Sequence, residues 1–217
     1  MKTDDLIARL AAGLVPVARL PHPGVLALRW LGLALLLLGA LVLASGLRHD
    51  AAARFLLPEE RVNLLAALAT GVAAAVAAFQ LALPDRDARW AWLPVPPALF
   101  WLAGLGWGCL RDMAAGGWAG LGLGTSFECL RFILLSGVPL TAAMLWMARH
   151  AAPLRPEPVA ALAGLAAAAL SSVALSLIHH LDAAAMVLLW HGSAAALLVL
   201  ASRRWGWRAL RAAAPRG

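Results

Sequence analysis

The sequence predicts an all-α membrane protein: six transmembrane helices in one bundle, with both termini on the cytoplasmic side. Three observations carry that expectation. Of 217 residues, 63% are hydrophobic and only 13% charged, with a mean hydropathy of +0.81; a soluble domain has about a quarter of its residues charged. The apolar residues form six runs bounded by charge, Pro or Gly, each close to the roughly 20 residues a helix needs to cross a bilayer. The cations are also distributed unequally between alternate loops. A β-barrel is excluded because its strands would alternate polar and apolar residues, and these runs do not.

Taken in order, the chain divides into residues 1–23 (a cytoplasmic N-terminal helix and hinge), 24–202 (the bundle) and 203–217 (a basic cytoplasmic tail). The opening "MKTDDLIARLAAGL" starts like a helix. Thr3 can accept a first-turn amide, and Asp4 and Asp5 suit the positive end of the dipole. Leu6, Ile7, Leu10 and Leu14 then recur at helical spacing as one narrow apolar stripe. Two roles fit this stripe: a helix lying on lipid headgroups, or one lying in a partner's groove. The acidic start argues against the first, since an anionic leaflet favours basic flanks. Pro16, Pro21 and Pro23 form a semi-rigid hinge before the first span.

The six spans fall at 24–46, 62–83, 93–110, 129–148, 158–178 and 184–202. The first has the look of a signal-peptide core, but too many residues precede it and it is long enough to span, so it is expected to be retained. Thirteen of the 18 Lys and Arg residues fall on the side of the termini, against Arg48, Arg54, Arg61, Arg111 and Arg131 on the other. By the positive-inside rule the termini are cytoplasmic. Trp90, Trp92, Trp205 and Trp207 mark the inner boundary, and Trp107 and Trp118 the outer one, as an aromatic belt does.

Polar groups within the spans are few: Gln80, Ser171, Ser172, Ser176 and His191. The outer side holds the chemistry. Cys109 ends the third span and Cys129 begins the fourth. The connection between them contains Gly116, Gly117, Gly120, Gly122 and Gly124 and is expected to bend freely. Thr125 and Glu128 have capping-box spacing, which places Cys129 in the first helical turn. There the helix N-terminus and Arg131 attract negative charge to the sulfur, and Glu128 repels it. His179, His180 and Asp182 occupy the loop between spans five and six, with His191 roughly 13 Å deeper if the chain is helical. Together with Cys129 they could ring a soft or borderline metal ion such as copper, although they match no fixed ligand motif. The plainer reading makes the histidines interfacial or hydrogen-bonding residues and the cysteines packing residues. An ionisable residue inside a membrane is nevertheless a functional candidate.

The cations lie in short loops and tails rather than one stripe, so direct nucleic-acid binding is not expected. There is no HExxH, P-loop or nucleophile elbow, so the chain is not expected to be an enzyme or to require a cofactor.

"MKTDDLI", "SFECLRFILLSGVPL", "LWMARHAAPLRP" and the distal "WHG" together resemble the NrsF family, negative regulators of sigma F, over nearly the whole chain. The resemblance implies a multi-pass anti-sigma factor of the bacterial inner membrane that holds an extracytoplasmic-function sigma factor. It also implies release under oxidative or metal stress, sensed by outward-facing cysteines. Asp4, Asp5, Leu6 and Ile7 become the sigma contacts, with Leu10 continuing their stripe. Cys129 becomes the leading sensor, with Cys109, Glu128 and Arg131 around it. Some relatives carry a second cysteine between spans five and six, where this chain has His179 and His180. Either Cys109 takes that role here, or the histidines make the site responsive to metal.

Two other classes remain as alternatives. A six-span transporter with a Cys/His gate would be expected to show inverted repeats and broken helices, and no repeat is evident. A membrane thiol oxidoreductase would prefer a closely spaced pair such as C-x-x-C, which Cys109 and Cys129 do not form.

Overall fold

The computed structural model describes residues 3–13, 20–121, 127–151, 153–179 and 183–212. Pro16, Thr125, His180 and Asp182 lie outside the described residues. Among those described the chain is helical, without strands, and six helices are long and apolar enough to cross a membrane. The elements are α1 (Thr3–Ala12), α2 (Pro23–Ser45), α3 (Ala51–Leu56), α4 (Pro58–Ala82), α5 (Val95–Gly120), α6 (Phe127–Ala148), α7 (Pro156–Ser176), α8 (Ala184–Ala201) and α9 (Trp207–Ala212). The spans are α2 and α4 to α8. Three of them, α2, α4 and α7, begin with Pro at their first helical position, where its missing N–H costs nothing.

The fold departs from the expected boundaries at three places. A short helix, α3, sits between the first two spans. The glycine-rich stretch after span three is helical as far as Gly120, with a kink only at Gly117 (φ 57°). Gly is permitted at that backbone angle, and a residue with a Cβ is not. Finally, the chain beyond α8 remains helical to residue 212. It passes through a π-helical turn, Ser202–Gly206, into α9, which places Leu210 in the main core at 1% exposure.

α7 is the axis of the bundle, with α2, α4, α6 and α8 packed on it. Lipid tails are as apolar as the helices, so spans associate through close packing, which needs small residues. α7 supplies them: Ala166, Ala167, Ala168 and Ala169 are all fully buried. Glycines on either side allow the closest approaches. Gly71 of α4 lies under Leu170, and Gly137 of α6 under Leu198 of α8. A Cβ on Gly164 would stand 2.8 Å from both the Leu198 carbonyl oxygen and Ser202 Oγ. On the α2 side, Trp30 is completely buried and donates its indole N–H to the Leu140 carbonyl oxygen of α6 at 2.9 Å. A buried indole N–H requires such a partner where no water is available.

Gly164→Val should therefore lower the melting temperature of the detergent-solubilised protein, at a cost of about 1–3 kcal/mol, as overpacking does. Gly32→Ala would meet nothing within 4 Å and should leave stability unchanged or slightly raised. Equal melting temperatures for the two variants would refute this account of the α7–α8 contact.

Candidate functional site

The six spans are tied together at the end remote from the termini by a network of charged side chains. Its centre is Arg48, in the loop after α2, whose side chain is only 7% exposed. Its Nε and Nη2 donate to the two carboxylate oxygens of Asp50 at 2.6 and 2.8 Å, and Nη1 donates to the His179 carbonyl oxygen at 2.8 Å. The Arg48 backbone N–H donates to the Leu177 carbonyl oxygen at 3.0 Å. Carbonyls at a helix C-terminus lack intrahelical partners and carry the negative end of the dipole. One arginine thus satisfies carbonyls just beyond α7 and neutralises that end. Asp50 precedes α3 but makes no side-chain cap bond to it, because its carboxylate is engaged by Arg48. That engagement holds the Asp50 carboxyl well below its ordinary value of 3.8.

The network extends in both directions. Arg54 of α3 donates to Glu60 of α4 at 2.6 Å and lies 3.6 Å from Asp50. Arg111 of α5 donates to Glu59 of α4 at 3.0 Å. Next to it, Asp112 Oδ2 accepts the Ala184 backbone N–H at 3.2 Å. A carboxylate from one span thereby caps the N-terminus of another, α8. On the opposite flank, Glu128 of α6 lies 3.7 Å from His179 Nε2, forming an ion pair when the imidazole is protonated.

The residues singled out from the sequence divide between two cavities at this end. One, of about 140 Å³, is lined by Cys129, His179 and His191, with Asn63, Ser172 and Ser176 between them. Arg54 and Arg111 with Glu60 and Glu59 stand at its mouth, and Arg48 lines it as well. The other, of about 410 Å³, lies between α2, α6 and α7 and is lined by Glu128, Arg131 and His179. His179 and Leu175 border both. Cys109 lines neither, and neither cysteine is in a disulfide. Cys129 is 1% exposed and belongs to a buried cluster with Ile133, Ala168, Leu175, Ala194 and Leu198, drawn from three spans. Phe127 closes the first turn of α6 over Trp190 of α8, ring to ring at 5.2 Å. Among the described residues, no three His, Cys, Asp or Glu side chains converge as metal ligands; His180 and Asp182 of the expected set lie outside those residues.

At the other end of the chain, Asp4, Asp5, Leu6, Ile7 and Leu10 all fall on α1, and none of its residues is buried. Leu6, Ile7 and Leu10 are 41%, 58% and 65% exposed. The Arg48–Asp50 clamp, the Arg111–Glu59 pair and the Asp112 cap were not anticipated. The charge cluster "LRHDAAARFLLPEER" marks some of these groups in the sequence, but nothing in it announces partners more than fifty or seventy positions away.

With the site described, comparison with known proteins places the chain. A model of the NrsF family, negative regulator of sigma F, matches residues 10–211, and the chain belongs to that family. Asp4, Asp5, Leu6 and Ile7 precede the matched residues. No curated protein matches, and no solved structure does.

A pH prediction follows from the clamp. The Asp50 carboxyl is depressed on folding, so its contribution to stability is present above the ordinary carboxylate value and is lost only as pH falls through the lowered value. Asp50→Asn should melt below the wild type by a constant margin at neutral and mildly acidic pH. That margin should narrow only once the pH falls below about 4. A margin that disappears between pH 7 and 5 would show that the clamp does not hold Asp50 ionised.

Proposed function

We propose that this family member is an anti-sigma factor that sequesters an extracytoplasmic-function sigma factor at the bacterial inner membrane, with both termini cytoplasmic, and releases it when the periplasmic end of the bundle is oxidised or binds metal. The observation that carries this reading is α1. It is a regular helix with an acidic first turn and an apolar stripe, and the bundle leaves that stripe unpartnered. A stripe of this kind fits a groove on a protein partner. The family to which the bundle belongs makes that partner a sigma factor.

Cys129 is the proposed sensor. Its sulfur lies where α6, α7 and α8 meet, so any added oxygen or ligand must disturb the packing of all three. The cluster around Cys129 extends through Ile133 to Leu198. Leu198 in turn abuts Gly137 of α6 and Gly164 of α7, just before the π-helical turn at the terminal end of the bundle. This contiguous packing gives displacement a route from the periplasmic end to the cytoplasmic one. His22 and Pro23 begin α2 rigidly, with His22 Nδ1 accepting the Gly24 N–H at 3.2 Å, so movement of α2 would carry the base of the α1 segment with it. A tenfold release requires only about 1.4 kcal/mol of difference between two states, within the usual range of coupling energies, about 1–3 kcal/mol.

The test is a pull-down of a purified extracytoplasmic-function sigma factor by the detergent-solubilised protein. Intact protein should retain it, and an Asp4→Ala/Asp5→Ala/Leu6→Ala variant should lose it. Oxidant should release it from the wild type by about tenfold but not from Cys129→Ser. Retention by the triple variant would remove α1 as the docking element. Unchanged release from Cys129→Ser together with Cys109→Ser would remove the thiols as the sensor.

A further inference from the structure

Beyond the charged network, the most unusual feature of the bundle is the polar floor of the 140 Å³ cavity. Ser172 is 1% exposed, and its Oγ has no hydrogen-bond partner. Asn63 Oδ1, lining the same space, has none either. Unpaired buried polar atoms are costly, so two at one cavity mark a place where a polar visitor can be bound. Exposure grades along the cavity. At the mouth, Arg111, Glu59 and Glu60 have side chains 55%, 43% and 41% exposed. At the floor, Cys129, Ser172 and His191 are 1%, 1% and 5% exposed.

We infer that this cavity is a size-selective access site that admits a small, neutral hydroperoxide to Cys129 and excludes bulky thiol oxidants. The inference rests on the sensor role proposed for Cys129 and names the class of oxidant that reaches it. A cavity of roughly 150 Å³ holds a molecule about the size of benzene. Hydrogen peroxide fits, and oxidised glutathione does not. Peroxide brings two O–H donors for Asn63 Oδ1 and Ser172 Oγ, as well as lone pairs that can accept the Ser172 hydroxyl. The charges at the mouth are paired with opposite charges, Arg54 with Glu60 and Arg111 with Glu59, so a neutral molecule passes without displacing an ion. In the reaction, the Cys129 sulfur attacks one peroxide oxygen and the O–O bond breaks. The leaving oxygen takes the thiol proton and departs as water. Sulfur is oxidised to sulfenic acid and the peroxide is reduced.

The experiment uses the full-length protein in detergent with Cys109→Ser, which leaves Cys129 as the sole thiol. Its oxidation by hydrogen peroxide and by oxidised glutathione is followed by mass spectrometry after trapping. Each rate is divided by that of the same chain unfolded in SDS, which removes the intrinsic difference between the two oxidants. Folding should slow oxidised glutathione by more than about a hundredfold and peroxide by less than about tenfold. Ser172→Leu, which fills the floor, should slow peroxide by at least about a further tenfold. Equal protection against both oxidants in the folded protein overturns the access site while leaving Cys129 as sensor. That comparison is made on the Cys109→Ser protein and does not depend on the Ser172→Leu variant folding. If neither oxidant modifies folded Cys129, the access site and the sensor reading both fall.

Discussion

The structure depends on α7 being surrounded. A helix packed on α2, α4, α6 and α8 at once has no side free for bulk, and its sequence answers with runs of alanine and with Gly164. In a bilayer the gain from such packing is dispersion and close backbone approach rather than expulsion of water. It is therefore sensitive to distances of a few tenths of an ångström. Small residues also ease the packing around this axis: Gly71 of α4 against α7, Gly137 of α6 against α8, and the π-helical turn after α8, whose Gly206 lies under Leu145 and against Ala160.

Close packing alone does not fix the ends of the helices, where unpaired backbone groups must find partners. At the remote end these groups are satisfied across helices rather than within them. Arg48 serves carbonyls beyond α7, and Asp112 serves the first N–H of α8. Every span contributes to this arrangement or contacts it. The division of labour has a mechanical consequence. The interior of the bundle is held by short-range contacts that tolerate almost no displacement, while its remote end is held by ionic contacts that can exchange partners.

Much of this was legible in the sequence. Six spans follow from hydropathy alone, because the bilayer imposes a length on each apolar run. The α1 stripe follows from periodicity, and α1 forms as expected from Thr3 to Ala12. The helical stretch through Gly116 to Gly120 was not legible, since glycine permits a bend without requiring one and the neighbouring turns favoured helix. The packed segment containing Leu210 was hidden by its arginines, which signal a solvated tail while the single leucine signals little. Cys129 stands out in the sequence because a thiol and an acid at the head of an apolar run are conspicuous, and the structure buries it. That Arg131 faces a different cavity from Cys129 follows once the segment is helical, since two residues are about half a turn apart and do not share a face.

The sensor role proposed for Cys129 requires burial to be compatible with signalling. An exposed thiol would react readily, but oxidation there would change nothing mechanical. A thiol sealed in the core would move the helices if it were oxidised but would never meet an oxidant. Cys129 combines the two: it packs with residues of α6, α7 and α8 while lining a cavity that opens among charged side chains. Adding one oxygen to that sulfur puts a polar group at one end of the buried cluster that runs through Ile133 and Leu175. Leaving such a group unsatisfied costs about 1–3 kcal/mol on protein scales. That is close to the energy needed to shift a two-state equilibrium tenfold. Because α7 is packed so tightly, relief has to come from α6 or α8 moving relative to it. Those are the two spans whose remote ends are anchored by the exchangeable contacts of Glu128 with His179 and Asp112 with Ala184.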